Sequence, residues 1–329
     1  MFTCNIEDIA TTETARKLKW VETGEVTKKG KRRKSVAIPS GLVACAIDLG
    51  IRNLGFATVA TYRDGQLCIL RSRNIWIGQE EQDGSHPGRW SAGPDLAHLA
   101  RHKREIRLLR RQRGKPVKGE LSHVELQDHI THMAEDRFKK AARAIVTFAL
   151  NTDRTVSSKT GEPHPGADVL LVENLATLLP DAERERGINR SLIEFNRGHM
   201  VERLKEVAKD VGVKCLEVSP VGTSQVCSRC GQLGRRYTVG RDQTGLPDIR
   251  FGPVEKLFAC RCGYRSNSDH NASVNLHRRF CLGDAAVKAF LDFHAKPDAE
   301  RRHVLETLES DLLPSLRQIH RLEAAAAPF

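Results

Sequence analysis

The chain has 329 residues, of which 40% are hydrophobic, and this is enough to bury one large core or two modest ones. Its 53 Lys and Arg residues outnumber 41 Asp and Glu, so the formal charge of +12 favours a polyanionic partner. No apolar run approaches the length of a membrane span, and residues 1–8 lack the basic and apolar regions of a secretory signal. We therefore expect a soluble, cytoplasmic protein.

The first 40 residues are polar and contain a basic run from Lys28 to Lys34. This composition predicts a basic N-terminal arm, which either contacts nucleic acid or remains solvated. The apolar run from Leu42 to Ile47 follows, and it predicts a buried strand that delivers an acid, Asp48, at its end.

Two further strands are predicted after Asp48. They run from Leu54 to Ala60 and from Leu67 to Leu70, and the turn signal Asp64-Gly65 lies between them. Together with the first strand they predict an antiparallel meander.

The segment from Leu96 to Lys115 predicts a very basic helix with only a thin apolar stripe. Like charges at helical spacing repel one another, so a phosphate backbone beside this helix explains its composition better than a solvated face does. The candidate nucleic-acid contacts are Arg101, Arg104, Arg107, Arg110, Arg111 and Arg113.

Helices and strands alternate in the second half of the chain. Helical periodicity covers Ala134–Leu150, and the segment Ala167–Val172 predicts a second buried strand that ends on an acid, Glu173. A helix over Leu192–Asp210 and a strand over Val213–Val218 follow. This alternation after a meander predicts an α/β fold in which helices flank a mixed sheet.

Four of the nine cysteines form two close pairs, Cys227 with Cys230 and Cys260 with Cys262. Each pair is followed by glycine, and two such turns can aim four thiolates at one tetrahedral Zn²⁺. The second pair has Cys-x-Cys spacing, which leaves open that one thiolate is misaimed or replaced by a nearby His. Four thiolates leave no open coordination position, so we expect the zinc to be structural.

Three acids are candidate catalytic residues: Asp48, Glu173 and Asp269. The first two end predicted buried strands, and Asp269 opens a predicted helix over 271–276. Converging carboxylates supply the hard oxygen ligands that suit Mg²⁺ or Mn²⁺. Taken singly, Asp48 is also compatible with a turn residue, Glu173 with a surface carboxylate and Asp269 with a helix N-cap.

The segments around these acids, Ala46–Gly55, Leu171–Leu175 and Ser268–Ser273, resemble the three motifs of the split RuvC nuclease, which has an RNase H-like fold. The order of the motifs and the position of the cysteine pairs resemble the TnpB nucleases and the type V CRISPR (Cas12-type) effectors. Pro220–Gly231 is similar to the lead-in to the zinc ribbon of that family.

The resemblance implies specific roles for these residues. Asp48, Glu173 and Asp269 would hold two Mg²⁺ or Mn²⁺ ions, and the four paired cysteines would hold one structural Zn²⁺. The partners would be a DNA substrate and a guide RNA, with the arginine-rich helix against the guide or the target strand. Relatives carry a larger recognition lobe ahead of the first motif, whereas 47 residues precede Asp48 here. A separate chain that supplies this lobe is therefore one hypothesis.

The expected domain organisation follows from the same motifs. We predict a basic arm over 1–40, a RuvC-like nuclease domain over 41–222 with the arginine-rich helix at 96–115, a zinc-ribbon insertion over 223–265, the third RuvC motif over 266–282 and a helical tail over 283–329.

The leading hypothesis is a metal-dependent DNA endonuclease that cleaves phosphodiester bonds by a two-metal mechanism and is guided by RNA. Two alternatives remain open. One is a truncated or split effector that binds DNA, with or without a guide, and does not cut it. The other is a zinc-ribbon interaction module, which would leave the strand-end acids unexplained.

Overall fold

The computed structural model describes residues 19–26, 32–49, 55–63, 66–75, 79–80, 90–91, 108, 124–158, 160–174, 197–244, 246–252 and 255–326. The strands among them are β1 Lys19–Val26, β2 Arg32–Ala37, β3 Val43–Asp48, β4 Gly55–Arg63, β5 Gln66–Ile75, β6 Gln79–Glu80, β7 Trp90–Ser91, β8 Val169–Glu173, β9 Lys214–Val218, β10 Arg235–Arg241, β11 Pro247–Phe251, β12 Leu257–Ala259 and β13 Arg265–Asn267. The α-helices are α1 Val124–Leu150, α2 Arg197–Asp210, α3 Ser268–Leu282, α4 Lys288–His294 and α5 Asp298–Ala326, with a 3₁₀-helix over Gly283–Val287.

A five-stranded mixed sheet in the order β5-β4-β3-β8-β9 forms the centre of the fold. β3, β4 and β5 pair antiparallel, which confirms the predicted meander, and β8 and β9 run parallel to β3. β5 extends to Ile75, beyond the predicted end at Leu70, because an edge strand continues through backbone pairing after its apolar residues end. The predicted α/β fold with helices around a mixed sheet is confirmed.

At β3 and β8 both faces of the sheet are buried, which explains why these two strands are continuous apolar runs. Alternate residues of each strand point to opposite faces. Cys45, Ile47 and Leu170 pack on the face covered by α1 and α2, through Ile145 and Leu204 among others. The opposite face is covered by α3. It packs Ala44, Ala46, Leu171 and Leu216 against Leu276 and Phe280.

One helix of the central domain extends beyond its predicted range. α1 is described from Val124, ten residues before the apolar periodicity becomes regular at Ala134. α2 is described from Arg197, and the predicted start at Leu192 lies outside the described residues. Gly212, beyond the end of α2, has a φ of 77°, the left-handed conformation typical of a helix C-terminus.

A second, four-stranded sheet in the order β11-β10-β12-β13 lies between β9 and α3 in sequence. The tail helix α5 covers one face of it, where Leu308, Leu312 and Leu316 pack against Tyr237 and Ile249. The helical periodicity of the tail predicted α4 and α5, and this prediction is confirmed. The tail therefore forms part of the core of the second sheet.

Some sequence predictions lie outside the described residues. The arginine-rich segment is described only at Leu108, which is helical and exposed, so its six candidate contacts have no structural description. The Asp64-Gly65 turn also lies outside. The N-terminal arm contains β1 and β2, which pair antiparallel and which its polar composition did not predict. In the part of the chain that the structure describes, no helix has the length and apolarity needed to span a membrane.

A buried histidine joins α3 to the central sheet. His277 is fully buried, its Nε2 lies 2.9 Å from the carbonyl oxygen of Thr58, and its Nδ1 lies 3.0 Å from the hydroxyl of Tyr62. A carbonyl only accepts, so Nε2 carries the proton and Nδ1 accepts from Tyr62. Burial lowers the pKa of His277 to about 4 because it disfavours the imidazolium.

The stability of the protein should therefore fall as the pH drops from about 6.5 to about 4. The unfolded state takes up a proton on this histidine near its ordinary pKa, and the folded state does so only near 4. The contribution to the free energy of unfolding amounts to about 3 kcal/mol across this interval. We expect urea unfolding of His277→Gln to show a flatter pH dependence than the wild type. An identical pH dependence would contradict this role.

Candidate active site and zinc site

Two of the three candidate acids lie side by side at one edge of the central sheet. β3 and β8 are parallel neighbours, with Ala46 paired to Leu171 and Ile47 to Val172. The next positions along the two strands are Asp48 and Glu173, the last residue of each strand. Both carboxylates therefore emerge at the carboxyl ends of adjacent strands. Glu173 is buried, which excludes its alternative interpretation as a surface carboxylate.

The third acid, Asp269, lies in the first turn of α3 and is almost fully buried. It is not the N-cap of this helix, so that alternative is wrong. Asn267 is the N-cap, and its side chain accepts a hydrogen bond of 2.8 Å from the backbone N–H of Asp269. The carboxylate of Asp269 is left to accept from the Ser268 hydroxyl, at 3.1 Å, and to face the other two acids.

The three acids form one electrostatic cluster. The pKa of Asp48 is raised well above its ordinary value, first because burial disfavours its charge and then because Glu173 and Asp269 repel it. A hydrogen bond with Glu173 raises it further, and the positive charge of Arg236 opposes these effects. Carboxylates arranged in this way need cations to remain ionised together at neutral pH, and this need fits hard divalent ions.

Two cations from the second sheet approach Asp269. Arg236 Nη2 lies 3.9 Å from Oδ1, and Lys256 Nζ lies 3.9 Å from Oδ2. Arg236 is held in place because its Nε donates to the Glu255 carbonyl, at 2.6 Å, and its Nη2 donates to Ser268 Oγ, at 3.0 Å. Sequence reasoning missed both residues, since neither belongs to a recognisable motif and their approach depends on how the second sheet folds back.

β4 packs closely against the backbone of Asp48. A Cβ at Gly55 would lie 2.5 Å from the backbone oxygen of Asp48, so this position requires glycine. Phe56 pairs with Asp48 across the sheet, and its ring lies 5.1 Å from that of His270, the neighbour of Asp269. The Nδ1 atom of His270 is 2.8 Å from Ser266 Oγ.

The structure brings the four paired cysteines together. Their sulfur atoms all lie within 4.8 Å of one another, with Cys227 Sγ 3.7 Å from Cys262 Sγ and Cys230 Sγ 3.5 Å from Cys260 Sγ. Four sulfurs at ~2.3 Å from a tetrahedral zinc ion are separated by about 3.8 Å. The Cys-x-Cys spacing therefore misaims neither thiol, and no His belongs to this cluster within the described ranges.

The chemistry of these thiols also fits a cation. The pKa of Cys227 is lowered to about 5, chiefly by a hydrogen bond from Cys260 and also by the backbone N–H groups of Cys230 and Arg229. The same pairing raises the pKa of Cys260. The site thus stabilises a thiolate, which is the form that binds zinc, and the donor set fits one structural Zn²⁺.

Comparisons with known proteins show what the chain is similar to. Residues 198–276 match the family model described as Cas12f1-like, TNB domain. A TnpB-like protein of Aquifex aeolicus is 30% identical over 175 residues, which is 53% of this chain and 49% of that protein. The CRISPR-associated endodeoxyribonuclease Cas12f1 of Sulfoacidibacillus thermotolerans is 24% identical over 153 residues, 46% of this chain and 28% of the relative. The chain thus spans about half the length of the first of these relatives and less of the second.

Solved structures share the fold at low sequence identity. The crystal structure of an AacC2c1-sgRNA-extended non-target DNA ternary complex has a TM-score of 0.55 and 13% identity, covering 78% of this chain and 42% of that chain. C2c1 of Alicyclobacillus acidoterrestris in complex with single-guide RNA has a TM-score of 0.51 and 14% identity, covering 82% and 43% respectively.

The mixed sheet, the acids at the carboxyl ends of β3 and β8 and the cysteine-bearing second sheet ahead of Asp269 define an α/β domain with the fold of these solved structures. The matches confirm the resemblance to TnpB-like and Cas12-type proteins. The chain is similar to those proteins over about half of its length.

Proposed function

We propose that this chain is the nuclease portion of an RNA-guided DNA endonuclease and that it hydrolyses phosphodiester bonds with two Mg²⁺ or Mn²⁺ ions. The observation that carries the proposal is the electrostatic cluster at the carboxyl ends of β3 and β8, where burial and then the charges of Glu173 and Asp269 raise the pKa of Asp48. The names of the relatives support the same activity, since one is a CRISPR-associated endodeoxyribonuclease and the other is TnpB-like.

Each residue of the cluster would contribute separately to the reaction. Asp48, Glu173 and Asp269 would hold the metal ions through carboxylate oxygens. When bound, two such ions activate a water molecule and stabilise the leaving oxygen of a phosphodiester. Arg236 and Lys256 lie on the ribbon side of Asp269, where their charges would attract the phosphate backbone and offset part of the carboxylate charge.

The four cysteines would hold one structural zinc ion, which keeps the ribbon folded. No cysteine of the cluster is needed for the hydrolysis itself. Zinc would thus act on catalysis only through the position of the neighbouring residues.

We further propose that guide RNA and target DNA contact the basic parts of the chain, above all the arginine-rich segment over 96–115. The solved complexes with the same fold contain guide RNA, and one of them contains DNA. Recognition of the guide and the target would involve additional protein, either a further portion of the same protein or a separate chain that supplies an N-terminal recognition lobe.

Replacing Arg107, Arg110 and Arg111 together with Gln should weaken nucleic-acid binding and flatten its salt dependence. Each lost phosphate contact reduces the slope of log affinity against log salt by about 0.7 to 0.9, so we expect a change of roughly 2 in total. A matched control replaces three exposed arginines of α5, Arg302, Arg317 and Arg321, with Gln and removes the same charge. An unchanged slope in the first variant, or an equal change in both, would indicate that the segment is solvated and does not contact the phosphate backbone.

The proposed activity is tested by cleavage of labelled single-stranded DNA by the purified chain, with any RNA that copurifies, in a Mg²⁺ titration. Parallel reactions use EDTA and Asp48→Ala. Cutting that requires both Mg²⁺ and Asp48 would support the proposal. Binding of DNA without cleavage, at saturating Mg²⁺ and with guide present, would favour a protein that binds and does not cut.

A further inference from the structure

One face of α3 is joined to the first cysteine turn by directed hydrogen bonds. Asn271, Asn275 and Arg278 are spaced by four and three residues, so they lie on the same side of the helix. Their partners outside the helix include backbone groups of residues 223–228, the segment that carries Cys227.

The two asparagines hold this segment at three backbone residues. Asn271 Nδ2 donates to the Val226 carbonyl, at 2.9 Å, and its Oδ1 accepts from the Ser228 N–H, also at 2.9 Å. Asn275 Nδ2 donates to the carbonyls of Thr223, at 2.8 Å, and Val226, at 2.6 Å. Both asparagines are fully buried, so losing an amide leaves backbone groups without their partners, which is costly in the interior of a protein.

Arg278 extends the same contact toward the cysteines. Its Nη1 donates to the carbonyl of Cys227 at 2.8 Å. Its Nη2 lies beside Gly231, so close that a Cβ added to this glycine would be 3.2 Å from it. Hydrogen bonds from α3 therefore fix the backbone of the first cysteine turn, in addition to apolar packing.

The other face of α3 is fixed to the sheet that carries Asp48 and Glu173. His277 bonds to Thr58 and Tyr62, and Leu276 and Phe280 enter the apolar core. Asp269 lies in the first turn of this helix, two residues before Asn271. The position of Asp269 relative to the other acids thus depends on how α3 sits between the sheet and the cysteine turn.

We propose that Asn271 and Asn275 are positioning residues that couple zinc binding to divalent-cation binding at the three acids. The inference rests on the proposed function, because it assigns those cations to Asp48, Glu173 and Asp269. Zinc fixes the cysteine turn, the asparagines transmit that position to α3, and α3 holds Asp269 where it completes the metal site. Coupling of two binding sites is reciprocal, so cations at the acids also retain the zinc.

The test measures the equilibrium zinc affinity of the purified chain by competition with a zinc-selective fluorescent chelator, without and with saturating Mg²⁺. In the wild type we expect Mg²⁺ to tighten zinc binding about fivefold or more. In the double variant Asn271→Ala/Asn275→Ala we expect weaker zinc binding, by about tenfold, and no further response to Mg²⁺. If the double variant does not fold, Asn271→Ala alone is measured, since it keeps both bonds of Asn275 and should show a reduced Mg²⁺ response.

The matched control is Asn151→Gly. Asn151 is a buried asparagine with a φ of 54°, and its amide donates to the carbonyls of Thr155 and His164, far along the chain from either site. Glycine accepts this conformation, so the variant loses a buried amide without backbone strain. It should retain the wild-type Mg²⁺ response.

The outcomes separate the coupling from the nuclease activity. An equal Mg²⁺ response in the wild type and the asparagine variants would overturn the proposal, as would a wild type that cleaves DNA yet shows no response. A response that depends on the asparagines, in a chain that does not cleave DNA, would support the coupling and contradict the proposed function.

Discussion

Asp48→Asn should abolish Mg²⁺-dependent DNA cleavage and, at the same time, raise the melting temperature of the metal-free protein. Cleavage should fall by about a thousandfold or more, because the variant lacks a carboxylate that holds the ions which activate water. The gain in stability follows from the raised pKa of Asp48. In the folded protein the ionised form is disfavoured by burial and by the charges of Glu173 and Asp269.

The sign of this effect depends on pH. A carboxyl group whose folded pKa is raised above its unfolded value costs nothing below the unfolded value, and its cost grows as the pH rises toward the folded value. The advantage of Asp48→Asn in EDTA should therefore be largest at neutral pH and shrink toward pH 4. Adding Mg²⁺ should stabilise the wild type more than the variant, because only the wild type has the full ligand set.

The matched control for this experiment is Asp168→Asn. Asp168 lies just before the opposite end of β8, and its Oδ2 accepts a hydrogen bond of 2.8 Å from the Val43 N–H. The amide keeps an acceptor, so this variant should cleave DNA normally and gain no stability. If Asp48→Asn melted below the wild type in EDTA, or cleaved DNA at the wild-type rate, Asp48 would be a structural residue.

Cys227→Ser should remove most of the bound zinc and unfold the ribbon while leaving the central sheet intact. Cys227 is fully buried beside Phe258 and Cys260, and a structural zinc site contributes on the order of 10 kcal/mol of binding free energy. Zinc content and amide hydrogen exchange measure the two effects. We expect protection to be lost over β10–β13 and retained in β3 and β8.

A buried cysteine outside the cluster provides the comparison. Cys215→Ser changes the same side chain in the core of the central sheet, outside the cysteine cluster, and should keep its zinc. Full zinc occupancy in Cys227→Ser, or a wild-type protein that binds no zinc after metal reconstitution, would show that the cluster has another role.

The sequence predicted those parts of the site that local patterns determine. Leu42–Ile47 and Ala167–Val172 read as buried strands because the sheet is covered on both faces, and an acid at the end of such a strand stands out against it. Paired cysteines with following glycines were equally recognisable, since Gly231 and Gly263 have φ values of 78° and 81° in the two turns.

The parts that sequence reasoning missed depend on long-range packing. Arg236 reaches Asp269 only because the second sheet folds back toward α3, and one arginine in a basic chain gives no signal of this. Asn271 and Asn275 fall within the helix predicted from the sequence, but their partners are backbone groups that no sequence pattern identifies. Polar composition likewise concealed the pairing of β1 with β2, which depends on backbone hydrogen bonds.

The central claim, that three acids form a divalent-cation site, is tested most directly by anomalous diffraction from crystals of this chain soaked in Mn²⁺. The account predicts manganese peaks bounded by the carboxylates of Asp48, Glu173 and Asp269, and their loss in crystals of Asp48→Asn. Manganese bound elsewhere, or no peak among these carboxylates at saturating Mn²⁺ in a well-ordered crystal, would contradict it.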